Sequence, residues 1–208
     1  MVPYNVIIVD DQNMPRQLFE TFVNSSKNYN LLYSLKTAKA VDVYCLKYPV
    51  DLIIMDVVMN DGSNGLDAAK RIKKQTPNIK IIIVTSMPEV SYIERARQIG
   101  VDSFWYKEVE GKPLLEVMDR TMAGEHIFPD STPVQEIGEA KSVEFTDTEL
   151  LVLREMTTGA TNVEIAEHMN ISVNTVKQHI MHMIQKTGCR NRTELAIEAR
   201  VRGIVIPE

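Results

Sequence analysis

Five groups able to do chemistry stand directly after short apolar runs. Asp10 and Asp11 follow "NVIIV", Asp56 follows "DLIIM", Thr85 follows "KIIIV" and Lys107 follows "SFWY". An aspartate at the end of an apolar run is ordinarily a turn or a helix cap, because a carboxylate is almost never buried without a partner. Five such groups at four run ends, in order, point further. Carboxylates brought together repel one another and are stable only with a cation, and an all-oxygen ligand set with room for water suits Mg²⁺. Asp56, the central one, could attack an activated phosphoryl group as a carboxylate nucleophile and become an aspartyl phosphate. Mg²⁺ and Lys107 would neutralise the phosphoryl oxygens, which is most of what phosphoryl transfer requires, and Thr85 could donate a hydrogen bond to one of them.

The elements that must gather these groups are legible as two alternating textures. Apolar runs at 5–9, 31–35, 51–55, 80–84 and 103–106 are separated by longer segments with helical spacing, such as the stripe Leu18, Phe19, Phe22 and Val23. Strand followed by helix, five times over, predicts a parallel sheet covered on both faces. In an open parallel sheet, ligands bind outside the carboxyl ends of the strands, so the five groups are expected to converge there.

Residues 125–143, "EHIFPDSTPVQEIGEAKSV", carry two prolines and no sustained periodicity, and read as a linker. From Phe145 onward the pattern predicts helices only. Thr146 and Glu149 form a capping-box signature, with Gly159 as a C-cap. Asn162 to Met169 makes a short second helix. Ser172 is an N-cap for a third, running to about Thr187 and closed by Gly188, and residues 191–203 make a fourth. The segment 161–187 has the proportions of a helix-turn-helix. Val176, Ile180, Met183 and Ile184 share one face of its second helix, and Asn174, Lys177, Gln178, Met181 and Gln185 share the other. An outward methionine there is either a second core contact or a contact to a thymine methyl in the major groove. Residues 143–208 hold seven Lys/Arg against nine Asp/Glu, yet 171–193 contains Lys177, Lys186, Arg190 and Arg192 with no acid, a strip suited to phosphates. His168, His179 and His182 lack further ligands for a zinc site.

Composition bounds the rest. The 208 residues allow one large domain or two ordinary ones, and 44% apolar with 25% charged residues describes a globular chain. A net charge of −5 excludes a broad nucleic-acid-coating surface, so any such contact is local. No apolar run approaches the length of about 20 residues that spans a bilayer. The N-terminus "MVPYNVIIVDD" lacks the basic region of a signal peptide. Cys45 and Cys189, far apart in sequence, indicate neither disulfide nor zinc, and the expected location is a reducing cytoplasm.

The blocks "IIVDDQ", "LIIMDVVM", "IIIVTS" and "FWYK" resemble those of CheY-like receiver domains of two-component response regulators, over residues 4 to about 122. The resemblance implies a flavodoxin-like sheet of strand order 2-1-3-4-5. It also implies Asp56 as phosphoacceptor, Asp10, Asp11 and Asp56 as metal ligands with the backbone carbonyl of Val58, Thr85 as switch hydroxyl, Lys107 as phosphate contact and Phe104 as switch aromatic. Departures are Met59-Asn60 where the family has Met-Pro, Gly65 nine rather than eight residues beyond Asp56, and Glu108 after Lys107 where many relatives have proline. The loop "NDGSNG" is one residue longer than the family's.

The stretches "FTDTELLVL", "TNVEIAEHMNISVNTVKQHI" and "NRTELAIEA" resemble the LuxR-type helix-turn-helix domain, over about 145–204. Thr187 departs from the family's leucine and is expected to loosen packing. The resemblance places Asn174, Thr175, Lys177, Gln178, His179 and Met181 on the DNA-facing surface, Gln178 and Met181 setting sequence choice, and makes the last helix a dimerisation helix. Together the two resemblances imply the NarL/FixJ arrangement: an α/β receiver at 1–124, a linker at 125–143 and an all-α DNA-binding domain at 144–208. A sensor histidine kinase, double-stranded DNA with inverted or direct repeats, a second copy of the chain and RNA polymerase are the implied partners, with no membrane. Two other readings compete: a phosphorylation-independent DNA-binding regulator, and a Mg²⁺-dependent phosphatase of the haloacid-dehalogenase type. The phosphatase needs Asp-x-Asp on the first strand, where this chain has adjacent Asp10 and Asp11.

Overall fold

The computed structural model describes residues 2–107 and 113–205; Glu108, noted above, lies outside them. The chain forms two compact units, residues 2–86 with 91–131, and residues 132–205 with 87–90.

In the first unit, β1 (Tyr4–Val9), β2 (Tyr29–Leu35), β3 (Leu52–Asp56), β4 (Lys80–Thr85) and β5 (Ser103–Tyr106) make one parallel sheet of order β2-β1-β3-β4-β5. α1 (Asn13–Ser25), α2 (Val41–Lys47), α3 (Gly65–Gln75) and α4 (Tyr92–Ile99) connect successive strands, and α5 (Leu114–Met122) follows β5. The central strands are apolar on both faces because both faces are covered. Val6–Val9, Leu52–Met55 and Ile81–Val84 are fully buried, each large side chain contributing about 1.5–3 kcal/mol of burial. On α1 the expected stripe holds for Phe19 and Val23, whereas Leu18 is 49% exposed. At 3.6 residues per turn, Leu18 sits at the stripe's edge and turns outward.

The sheet register carries the functional content. Val9 pairs with Met55, Asp56 with Val84 and Thr85 with Tyr106. The residues following these strands therefore emerge level with one another. The amide of Lys107 donates to the carbonyl of Thr85 at 2.9 Å, which extends that ladder by one residue.

In the second unit, α6 (Asp147–Thr157), α7 (Asn162–Met169), α8 (Val173–Thr187) and α9 (Arg192–Val201) pack around Val152, Leu153, Ile165, Val176, Met183 and Leu195. Thr146 and Glu149 form the expected capping box, as do Thr161 and Glu164, and Ser172 caps α8 by accepting from the Thr175 amide. Part of the segment expected as linker is ordered into this unit. β6 (Glu136–Ile137) and β7 (Ala140–Lys141) form an antiparallel hairpin whose Ile137 and Ala140 are buried in the helical core. Thr187 does not loosen the end of α8. Its hydroxyl donates to the Met183 carbonyl at 2.8 Å, and its own carbonyl accepts from the Glu139 amide of the hairpin at 3.0 Å. No helix among the described residues is long and apolar enough to cross a membrane.

Candidate functional sites: an acidic pocket and a helix face

The strand ends meet as the register requires. Carboxylate oxygens of Asp10, Asp11 and Asp56 all lie within 4.8 Å of one another. Asp10 and Asp56 are buried and Asp11 half-buried. Lys107 reaches between the two buried ones, its Nζ 2.8 Å from Asp10 and 2.6 Å from Asp56. Asp56 also accepts from the amide of Val57 at 2.7 Å. Burial pushes the Asp56 carboxyl up to about 6, against the pull of the Lys107 ammonium, which lowers it. Asp10 accepts from the Gln12 amide at 2.9 Å.

One ammonium among three carboxylates leaves surplus negative charge in a largely buried place. The donors are all hard oxygens, so the set fits a small divalent cation such as Mg²⁺. Val58, the further ligand implied by resemblance, is half-buried and pairs with Asn64 at the mouth of the β3–α3 loop. Thr85 is fully buried at the end of β4. Phe104 is buried on β5, its ring edge-on to Tyr106 at 5.1 Å and stacked with Phe128 at 6.5 Å.

Three groups at this pocket escaped sequence reasoning. Arg16, buried on α1, donates to the Asp10 carbonyl at 3.0 Å and to Asn13 Oδ1 at 2.8 Å. Its spacing from Phe19 and Val23 places it on the inward face, and a buried arginine must have partners. That signal was readable. The Asn60 amide donates to Asp11 at 2.5 Å, and Asp61 of the same loop gathers four polar contacts, two from Ser63 and one each from Thr37 and Lys39 of the β2–α2 loop; neither leaves a sequence signal, because both depend on the path of the loop. Gly65 is required by close approach: a Cβ there would stand 1.9 Å from the Asp56 carbonyl oxygen.

On α8, Val176, Ile180 and Met183 face the core, while Asn174, Lys177, Gln178, Met181 and Gln185 are exposed and Thr175 and His179 half-buried. Met181 is 50% exposed, which removes its reading as a core contact. The basic strip is smaller than the sequence window suggests. Lys186 pairs with Glu149 at 2.7 Å, Arg190 pairs with Glu194 at 3.0 Å, and Arg192 donates to Asn162 and the Ala160 carbonyl. Acids outside the window are folded back onto it. Burial raises the Glu149 carboxyl, but Lys186 and the Thr146 amide outweigh it and hold the group below its ordinary value.

A doubly wound sheet with an acid-lined carboxyl edge, followed by a helix-turn-helix, defines a class of proteins that join a strand-end acidic pocket to a helix-turn-helix module. Residues 6–119 match the family described as "Response regulator receiver domain", and residues 143–199 match "Bacterial regulatory proteins, luxR family". The chain belongs to the two-component response regulators of the NarL/FixJ type. It is 29% identical over 203 residues to the response regulator VraR of Staphylococcus saprophyticus, covering 95% of this chain and 97% of that one. It is 29% identical over 199 residues to VraR of Staphylococcus aureus, covering 93% and 95%. The fold is shared with RcsB of Salmonella enterica serovar Typhimurium, solved bound to a promoter with phosphomimetic beryllofluoride, at TM-score 0.61 and 22% identity over 94% of this chain and 97% of that one. It is also shared with the response regulator ChrA of a heme-sensing system, at TM-score 0.53 and 19% identity over 97% of this chain and 98% of that one.

Proposed function

We propose that a histidine kinase phosphorylates Asp56, and that this controls dimerisation and sequence-specific DNA binding to regulate transcription. The observation that carries the reading is the pocket in which Lys107 bridges Asp10 and Asp56 while Asp11 closes the third side. Asp56 attacks the phosphorus of a phosphohistidine: the new P–O bond forms as the P–N bond breaks, and the imidazole leaves with the bonding electron pair. Asp10, Asp11, Asp56 and the Val58 carbonyl would hold Mg²⁺, which when bound neutralises phosphoryl oxygens and lowers the barrier to transfer. Lys107, already between the carboxylates, holds a phosphoryl oxygen by its ammonium. Thr85 donates its hydroxyl to the phosphoryl group, and the buried Phe104 follows, repacking the surface of the fourth helix and fifth strand. An apolar recess of about 530 Å³ beside Lys107, lined by Met14, Pro15, Leu18, Phe19 and Trp105, supports an approach by the kinase from the α1 side.

On α8, Lys177 positions the helix against phosphates, with Asn174, Thr175 and His179 beside it, while Gln178 and Met181 meet base edges and thymine methyls. Ile197 and Val201 stand exposed on α9, which supports a dimer on inverted or direct repeats, with RNA polymerase a further partner. The test is acetyl phosphate or beryllofluoride with Mg²⁺. Modification of Asp56, absent in Asp56→Asn, and tighter operator binding are expected; an unmodified Asp56 with unchanged DNA affinity would sink the switch. In parallel, Lys177→Ala is expected to weaken binding to every sequence and to reduce the salt slope by about one, whereas Gln178→Ala relaxes base preference. A Lys177→Ala protein that binds DNA normally would overturn the helix assignment.

A further inference from the structure

We propose that Asp61 is a positioning residue for the cation site, fastening the lengthened β3–α3 loop so that the Asn60 amide holds Asp11 in its ligating orientation. The inference rests on reading the acidic pocket as a Mg²⁺ site. The loop is a closed turn: Val58 pairs with Asn64, the Met59 amide donates to the Ser63 carbonyl at 3.2 Å, and the Gly62 amide donates to the Met59 carbonyl at 3.0 Å. Gly62 adopts φ +78°, which the turn needs and which glycine supplies at least cost.

Two fastenings hold this turn. On one side the Asp61 carboxylate accepts from the Ser63 amide at 2.9 Å, the Ser63 hydroxyl at 2.6 Å and the Thr37 hydroxyl at 2.7 Å, with Lys39 Nζ at 3.2 Å. The Ala38 amide donates to Ser63 Oγ at 3.1 Å, so the turn is tied to the β2–α2 loop through Thr37, Ala38 and Lys39. On the other side the Asn60 amide donates to Asp11 Oδ2. One oxygen of Asp11 is thereby committed to backbone, which fixes the plane of the carboxylate and leaves the other oxygen for a cation. Partners that orient a ligand in this way commonly govern affinity as strongly as some ligands do. The Lys39 pair is exposed and contributes little by itself, so the hydroxyl and amide bonds carry the effect. The lengthened loop thus forms a turn that makes its own clasp.

The experiment compares wild type, Asp61→Ala and Asp61→Asn in the full chain, with melting curves to establish that each is folded. Mg²⁺ affinity of the unphosphorylated protein is measured by calorimetry, Asn60 amide exchange by NMR, and phosphorylation from acetyl phosphate as a function of Mg²⁺. Asp61→Ala is expected to weaken Mg²⁺ about tenfold, to speed Asn60 exchange, and to recover phosphorylation rate as Mg²⁺ is raised. Asp61→Asn retains the acceptor for Ser63 and is expected to stay close to wild type. Unchanged Mg²⁺ affinity in a folded Asp61→Ala overturns the inference, and so does a rate loss that Mg²⁺ does not rescue. A wild type that binds Mg²⁺ but takes no phosphoryl group overturns the switch reading instead, while the calorimetry still decides the role of Asp61.

Discussion

Among the described residues, Lys107 is the ammonium between two buried carboxylates, 2.8 Å from Asp10 and 2.6 Å from Asp56. Removing it leaves those charges uncompensated in a place that water barely reaches, a change that costs about 3 kcal/mol or more. A divalent cation would perform the same neutralisation. Lys107→Ala is therefore expected to lower the urea midpoint of the receiver unit sharply in EDTA and much less in excess Mg²⁺. Equal losses in both conditions would show that the lysine stabilises by packing alone. The identities of Asp10, Asp11, Asp56, Thr85 and Lys107 were legible because strand ends announce themselves in sequence. Their partners were less so. Arg16 could have been found from its place on the α1 stripe, but the Asn60 amide and the Asp61 clasp depend on loop conformation and on Thr37, which is distant in sequence. Likewise Lys186 and Arg190 read as free cations until Glu149 and Glu194 were folded onto them.

At the scale of elements, the five receiver strands were legible as apolar runs set between segments of helical spacing, and the four helices of the second unit by their caps and helical spacing. The β6–β7 hairpin was not. Its strands are two residues each, too short for any alternation, and Gly138 together with Pro129 and Pro133 just before the hairpin imitates a linker. Packing reveals it: Ile137 is fully buried, and Gly138, at φ +55°, lies so close to α8 that a Cβ would stand 1.9 Å from the Thr187 carbonyl oxygen. The hairpin thus closes the C-terminal end of α8, the helix proposed to read DNA. A fragment of residues 132–208 is accordingly expected to melt well above one of residues 144–208. Ile137→Ala in the longer fragment should cost about 2–4 kcal/mol, the usual range for emptying a buried isoleucine site. Matching melting temperatures for the two fragments would return the hairpin to the status of a linker.

Across the whole molecule, the net charge of −5 opposes DNA at long range, and three of the four cations in the 171–193 strip are already engaged. On the proposed function, affinity for an operator comes from a few contacts of α8, doubled by dimerisation, and a modest bias toward the dimer changes occupancy steeply. Shifting a two-state equilibrium from 1:99 to 99:1 needs about 5.5 kcal/mol of differential stabilisation. Linkage makes such coupling reciprocal: whatever factor the phosphoryl group contributes to DNA affinity, DNA must contribute to the affinity of the receiver for a phosphoryl mimic. The expected outcome is that beryllofluoride with Mg²⁺ tightens operator binding by some factor, and that saturating operator DNA tightens beryllofluoride binding by the same factor at fixed protein concentration. Non-operator DNA, which would lack the base contacts proposed for Gln178 and Met181, should produce a smaller effect. Anisotropy of labelled DNA and fluorescence of the single tryptophan, Trp105, whose side chain lines the recess beside Lys107, would report the two halves of the cycle. If operator DNA left beryllofluoride affinity unchanged while binding α8 normally, the receiver and the helix-turn-helix would be energetically independent. The chain would then act as a DNA-binding regulator that does not answer to phosphorylation.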